Sequence, residues 1–164
     1  MERWQQDLEW WLANWPVLAG LLLWFASLLN SILPLVHVQR RLPRLSLAEL
    51  TARCPGLGRL SWGYPIAYVA TALLFVAAMF WVHEHSRRLS DAQGSFLMGA
   101  VFCIFPLIAA GLALKTGVYR GMTGRAFTKD YYQVAGSHLS WVPWTQLIAA
   151  IITAALSLTG FWAA

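Results

Sequence analysis

Four apolar stretches, at residues 16–36, 65–82, 95–114 and 142–161, contain no Asp, Glu, Lys or Arg. About 18 to 21 residues of this kind, wound as a helix, cross the roughly 30 Å hydrocarbon core of a bilayer. A helix is also the form in which a lone segment satisfies its own backbone groups in lipid. The expected fold is an all-α membrane protein with four transmembrane helices. Charged residues make up only 12% of the chain, against about 25% in soluble domains, so residues 1–164 are expected to form one membrane domain with no separate globular part.

Charge is distributed unevenly between the connecting segments. Arg40, Arg41, Arg44, Arg53 and Arg59 fall between the first two stretches, and Lys115, Arg120, Arg125 and Lys129 between the last two. With Glu49 and Asp130 counted, these loops carry +7, while the N-terminal segment carries −2 and the segment after Val82 is neutral, giving the net +5. Lys- and Arg-rich loops remain cytoplasmic. Loops one and three are therefore expected inside, with both termini and the His83 loop outside, the arrangement of a multi-pass protein of a bacterial inner membrane. The N-terminus, with Glu2, Asp7 and Glu9 against Arg3, is the reverse of a secretory leader's basic start.

Tryptophan favours the membrane boundary. Trp4, Trp10, Trp11, Trp15, Trp81 and Trp162 would lie at the outer boundary and Trp62, Trp141 and Trp144 at the inner one, leaving Trp24 within a span. Trp4, Leu8, Trp11 and Leu12 recur at helical spacing, which predicts an amphipathic helix lying in the interface near the N-terminus. Asn14 is a candidate N-cap for the first span, with Pro16 in its first turn. Ser46 and Glu49 have capping-box spacing. A faint duplication relates Ile32–Leu35 to Ile104–Leu107, and Leu60–Trp62 to Leu139–Trp141.

No ionisable residue lies within a span, which argues against a proton-coupled transporter or an intramembrane haem site. Polar groups suited to helix packing take their place. Thr153 and Ser157 share a stripe with Ala149, and Asn30 precedes Pro34 by four residues, where a proline frees a backbone carbonyl and could open a polar cavity. His83 and His85 would face the same way in an extended segment and are the candidate metal ligands, although two ligands do not complete a zinc site. No cofactor motif is present, and the Gly117, Gly121, Gly124 run matches neither a P-loop nor a dinucleotide fingerprint. The four-span outline is similar in topology and size to the eicosanoid and glutathione membrane-enzyme superfamily. Arg59 is followed by Leu60 to Tyr64, however, without the Asn and Glu of that pattern.

These features point to a non-enzymatic inner-membrane protein that self-associates or serves as the membrane subunit of a larger assembly. Its expected contacts are anionic lipids and a cytoplasmic protein, met by the nine basic residues of loops one and three together with Tyr131 and Tyr132. Nucleic acid is not an expected partner. A small oligomeric channel or exporter is the first alternative. A membrane-embedded enzyme acting on a lipid or quinone, with His37 and His138 as acid and base, is the second.

Overall fold

The computed structural model describes residues 3–46, 48–49, 52, 63–85, 88–120 and 131–164. Helix α1 spans Arg3–Ala13, α2 Trp15–Arg41, α3 Gly63–Glu84, α4 Asp91–Phe102, α5 Ile104–Thr116 and α6 Val142–Ala163. Strands β1, Val118–Arg120, and β2, Tyr131–Gln133, form a short antiparallel hairpin in loop three. Among the described residues, three helical segments are long and apolar enough to cross a membrane: α2, the combined path Asp91–Thr116 through α4 and α5, and α6. Helix α3 adds a shorter apolar stretch, Val69–Glu84.

The apolar face of α1, with Trp4, Leu8, Trp11 and Leu12, is exposed rather than folded onto the protein. Asn14 differs from its expected role. Its side chain does not cap α2; its Nδ2 and its backbone N–H both donate to the Trp10 carbonyl, at 2.8 and 3.0 Å, so it closes α1. Its own carbonyl accepts from Leu18 and opens α2. Helix α2 continues past Val36 to Arg41, and 27 residues at about 1.5 Å each reach roughly 40 Å, beyond the hydrocarbon core.

The third apolar stretch is interrupted at a single residue, Cys103. Pro106 cannot donate the bond that would close on Phe102, and its ring crowds that carbonyl. The helix tightens at Cys103, whose N–H reaches back to Ala100 at 3.2 Å, before α5 resumes. The path also begins earlier than residue 95, because Ser90 and Gln93 form a reciprocal capping box with both bonds at 3.1 Å. The expected box at Ser46 and Glu49 also forms, with Glu49 Oε2 accepting from the Ser46 N–H at 2.7 Å and Ser46 Oγ from the Glu49 N–H at 3.3 Å.

Small residues bring the helices together. A Cβ on Gly20 of α2 would sit 2.6 Å from Ser95 Cβ of α4 and 3.0 Å from the Phe96 nitrogen, so only glycine permits this approach. Buried Ser27 lies against the same helix, its Oγ 3.0 Å from Cys103 Sγ and 3.3 Å from the Gly99 carbonyl. The buried face of α6 runs Gln146, Ala150, Thr153, Ser157, at alternating spacings of four and three. Ala149 flanks this stripe. Thr153 donates to the Ala149 carbonyl of its own helix at 2.7 Å rather than across an interface, and Ser157 Oγ is buried against Gly99.

The larger core lies at one end of the bundle. Leu35 and Val38 of α2, Ala113 of α5 and Val142 of α6 surround Tyr119, Tyr132, Val134 and Leu139. The hairpin is thus built into the protein. Val and Tyr suit a pleated surface, and Gly117, in the left-handed region at φ 73°, turns the chain from α5 into it. The Gly117 carbonyl then accepts from Val134 and Ala135, at 2.8 and 2.9 Å.

Candidate functional site

Two arrangements concentrate polar chemistry in the described residues, and both lie where α2 and α6 approach the hairpin. The first begins with Pro34. Lacking an N–H, it leaves the carbonyl of Asn30, one turn back, without its helical donor. Gln146 Nε2 donates to that carbonyl at 3.0 Å, and Asn30 Nδ2 donates to the Gln146 carbonyl at 2.9 Å. Gln146 Oε1 accepts in turn from the Tyr119 hydroxyl. Gln146 and Tyr119 are 1% and 0% exposed, so a continuous polar chain runs from the hairpin to the proline position of α2 inside packed protein. Burial pushes the Tyr119 phenol above its ordinary value of 10.0, because the phenolate would lose its hydration.

Asn30 is thus engaged with Gln146, and of the expected cavity pair it is Pro34 that borders open space. Sequence reasoning passed over Gln146, although Asn30 and Gln146 are the only carboxamides in the four stretches. Two amides, each costly to leave unpaired in an apolar setting, would have signalled the pairing.

The second arrangement is the basic end. Leu45 exchanges backbone hydrogen bonds with Tyr131, at 2.9 and 3.1 Å, joining the start of loop one to the hairpin of loop three. Arg40, Arg41, Arg44 and Lys115 are exposed and Arg120 is half-buried at this end. Arg53, Arg59, Arg125 and Lys129 lie outside the described residues, as does Cys54. Tyr131 and Tyr132 do not present a docking surface: they are 4% and 1% exposed. Neighbouring strand residues point to opposite faces, so Tyr132 joins Tyr119 in the main core while Tyr131 packs with Val118 and Leu45.

Beside these cations, a groove of about 370 Å³ lies between the ends of α2 and α6, lined by Pro34, His37 and Arg40 of α2 and by Trp141, Val142 and Thr145, with Val142 buried at its floor and Arg40, Trp141 and Thr145 exposed at its mouth. The His37 and Trp141 rings are 6.1 Å apart and tilted by 56°. His138 is exposed in the turn before α6.

His83 and His85 differ from the extended geometry on which their pairing depended. Helix α3 runs to Glu84, so His83 is helical, and at about 100° per residue positions two apart do not share a face. The His85 ring stacks on Trp81 at 4.6 Å, and its Nδ1 donates to the Trp81 carbonyl at 2.9 Å. Among the described residues no three His, Cys, Asp or Glu side chains are grouped as a metal site would require.

No family model, curated protein or solved structure matches the chain.

Proposed function

We propose that this chain is a non-enzymatic, four-span protein of a bacterial inner membrane, with loops one and three cytoplasmic and both termini outside. In this reading it acts as a self-associating unit or as the membrane subunit of a larger assembly, and its basic end docks an acidic face of a cytoplasmic partner. The observation that carries the reading is the Leu45–Tyr131 pairing, which ties the basic segments of both loops to one packed support. Exposed cations on a fixed support favour a complementary acidic surface and accelerate its encounter.

The interior supports the same reading. Asn30, Gln146, Ser27 and Thr153 are engaged in hydrogen bonds within and between helices. Their role is accounted for by packing, and no reacting pair is needed to explain them.

Crosslinking in native membranes followed by mass spectrometry tests this function. Crosslinks from Lys115 to a second copy or to an acidic segment of a cytoplasmic protein are expected. Purification as a lone monomer in mild detergent, with no copurifying protein and no crosslinked species, would reject it.

A further inference from the structure

We propose that the groove between the ends of α2 and α6 holds one anionic phospholipid, with its phosphate against Arg40 and His37 and an acyl chain along the floor. The groove's volume of about 370 Å³ is of the size that holds small ligands. Its position is fixed from below by the Asn30–Gln146 exchange, since Pro34 lies one turn beyond Asn30 and Thr145 adjoins Gln146.

The charge at its mouth has one sign. Arg40 supplies it and His37 adds ring nitrogens; among the described residues no Asp or Glu lines the groove, and the nearest acidic residues in sequence are Glu9 and Glu49 on the α2 side and Asp130 on the α6 side. Trp141 stands beside His37, and in the membrane-spanning reading this pair falls at the boundary where aromatic rings meet headgroups. The rest of the lining is largely apolar, with Leu33, Pro34, Val36 and Val142, and at helical spacing from it Leu29 on α2 and Ile148 and Ile152 on α6 are exposed. A soluble anion would use the mouth and leave these ridges bare; a phospholipid uses both. Thr145 contributes bulk rather than a donor, because its hydroxyl is already given to the Val142 carbonyl at 2.9 Å.

This inference rests on the membrane-spanning reading and is independent of whether the protein assembles. The test is native mass spectrometry of the full chain from mixed micelles holding equal phosphatidylglycerol and phosphatidylcholine. Wild type should retain phosphatidylglycerol preferentially. Removing one near-surface cation with Arg40→Gln should lower that retention about fivefold, and Lys115→Gln, at the same end but outside the groove, should change it by less than about twofold. Arg40→Lys should retain the lipid, and Thr145→Trp, which fills the groove, should lose it while keeping wild-type helicity.

Equal losses from Arg40→Gln and Lys115→Gln, or full retention in Thr145→Trp, would overturn the site. Displacement of the lipid by excess glycerol phosphate would show a free-anion site and overturn it too. Flotation with phosphatidylcholine vesicles separates the two levels of failure: a chain that does not float defeats the membrane reading itself, whereas one that floats without lipid preference defeats only the groove.

Discussion

Gln146 and Asn30 each donate a side-chain amide hydrogen to the other's main-chain carbonyl, across the α2–α6 contact, at 3.0 and 2.9 Å. The exchange is asymmetric in its consequences. The Gln146 carbonyl sits in an uninterrupted helix, whereas the Asn30 carbonyl has been deprived of its helical donor by Pro34. Gln146 thus compensates for a proline on another helix.

Gln146→Leu should destabilise the protein by about 1–2 kcal/mol, within the range for interhelical hydrogen bonds and stranded acceptors. The cost should shrink in a Pro34→Ala background, because an alanine at that position supplies the missing N–H to the Asn30 carbonyl. Chemical unfolding in detergent, followed by circular dichroism for the four corners of this cycle, measures the coupling. An equal cost of Gln146→Leu in both backgrounds would mean that the Pro34 defect and the Gln146 bond are unrelated.

Tyr119 makes the same chain sensitive to alkali. Its folded-state pKa is raised above the unfolded value near 10.0, so the neutral phenol is favoured by folding. Below about pH 10 both states hold the proton and the contribution is complete; above it the unfolded chain ionises first and stability falls as pH rises. Tyr119→Phe should be less stable at neutral pH, losing its bond to Gln146, but should show a shallower alkaline decline. Unfolding midpoints from pH 8 upward, with phenolate absorbance recorded alongside, test both parts. A wild-type alkaline slope unchanged in Tyr119→Phe would assign the sensitivity elsewhere.

Gly117 should be hard to replace for two separable reasons. Its φ of 73° strains any side chain, and an added Cβ would meet Ala135 Cβ at 2.5 Å. Gly117→Ala should loosen the hairpin at a cost of about 1–3 kcal/mol. Adding Ala135→Gly removes the contact and leaves the backbone strain, so partial rescue is expected. Hydrogen exchange at the Val134 and Ala135 amides, which bond to the Gly117 carbonyl, reports the docking directly.

Much of the helical plan was legible because apolar runs free of charge have few alternatives, and residues 16–36 and 142–161 both fall within single helices. The Ser46–Glu49 box was readable for a related reason: its bonds join residues three apart. What was not legible depends on contacts distant in sequence. The three-residue strands at Val118 and Tyr131 are too short to establish a period, and they are held by packing on Leu35, Val38 and Val142. Tyr131 and Tyr132 read as surface residues because a loop was expected around them. Pro34 and Pro106 occupy matching places in two similar motifs, yet α2 continues through Pro34 while the third stretch breaks at Cys103. For Pro34 the structure supplies a reason, the Gln146 amide, 116 positions from Asn30 and invisible to any local pattern.

Close approach of α2 and α4 depends on Gly20, and Cys103 offers a way to observe it. Gly20→Val would drive a side chain into Ser95 Cβ and the Phe96 backbone, which cannot swing aside as a flexible side chain would. Helix α4 must shift, with a cost of about 1–3 kcal/mol for the overpacked contact. Farther along the same interface, Cys103 is 0% exposed with its Sγ 3.0 Å from Ser27 Oγ. In a Cys54→Ala background the wild-type interface should protect the Cys103 thiol from a membrane-permeant maleimide, and Gly20→Val should raise the labelling rate severalfold. Gly20→Ala should fall between the two, since its Cβ alone meets the 2.6 Å contact. Equal rates across the series would mean that the helices remain together without the glycine, and that Ser27, Gly99 and Cys103 suffice to hold the pair.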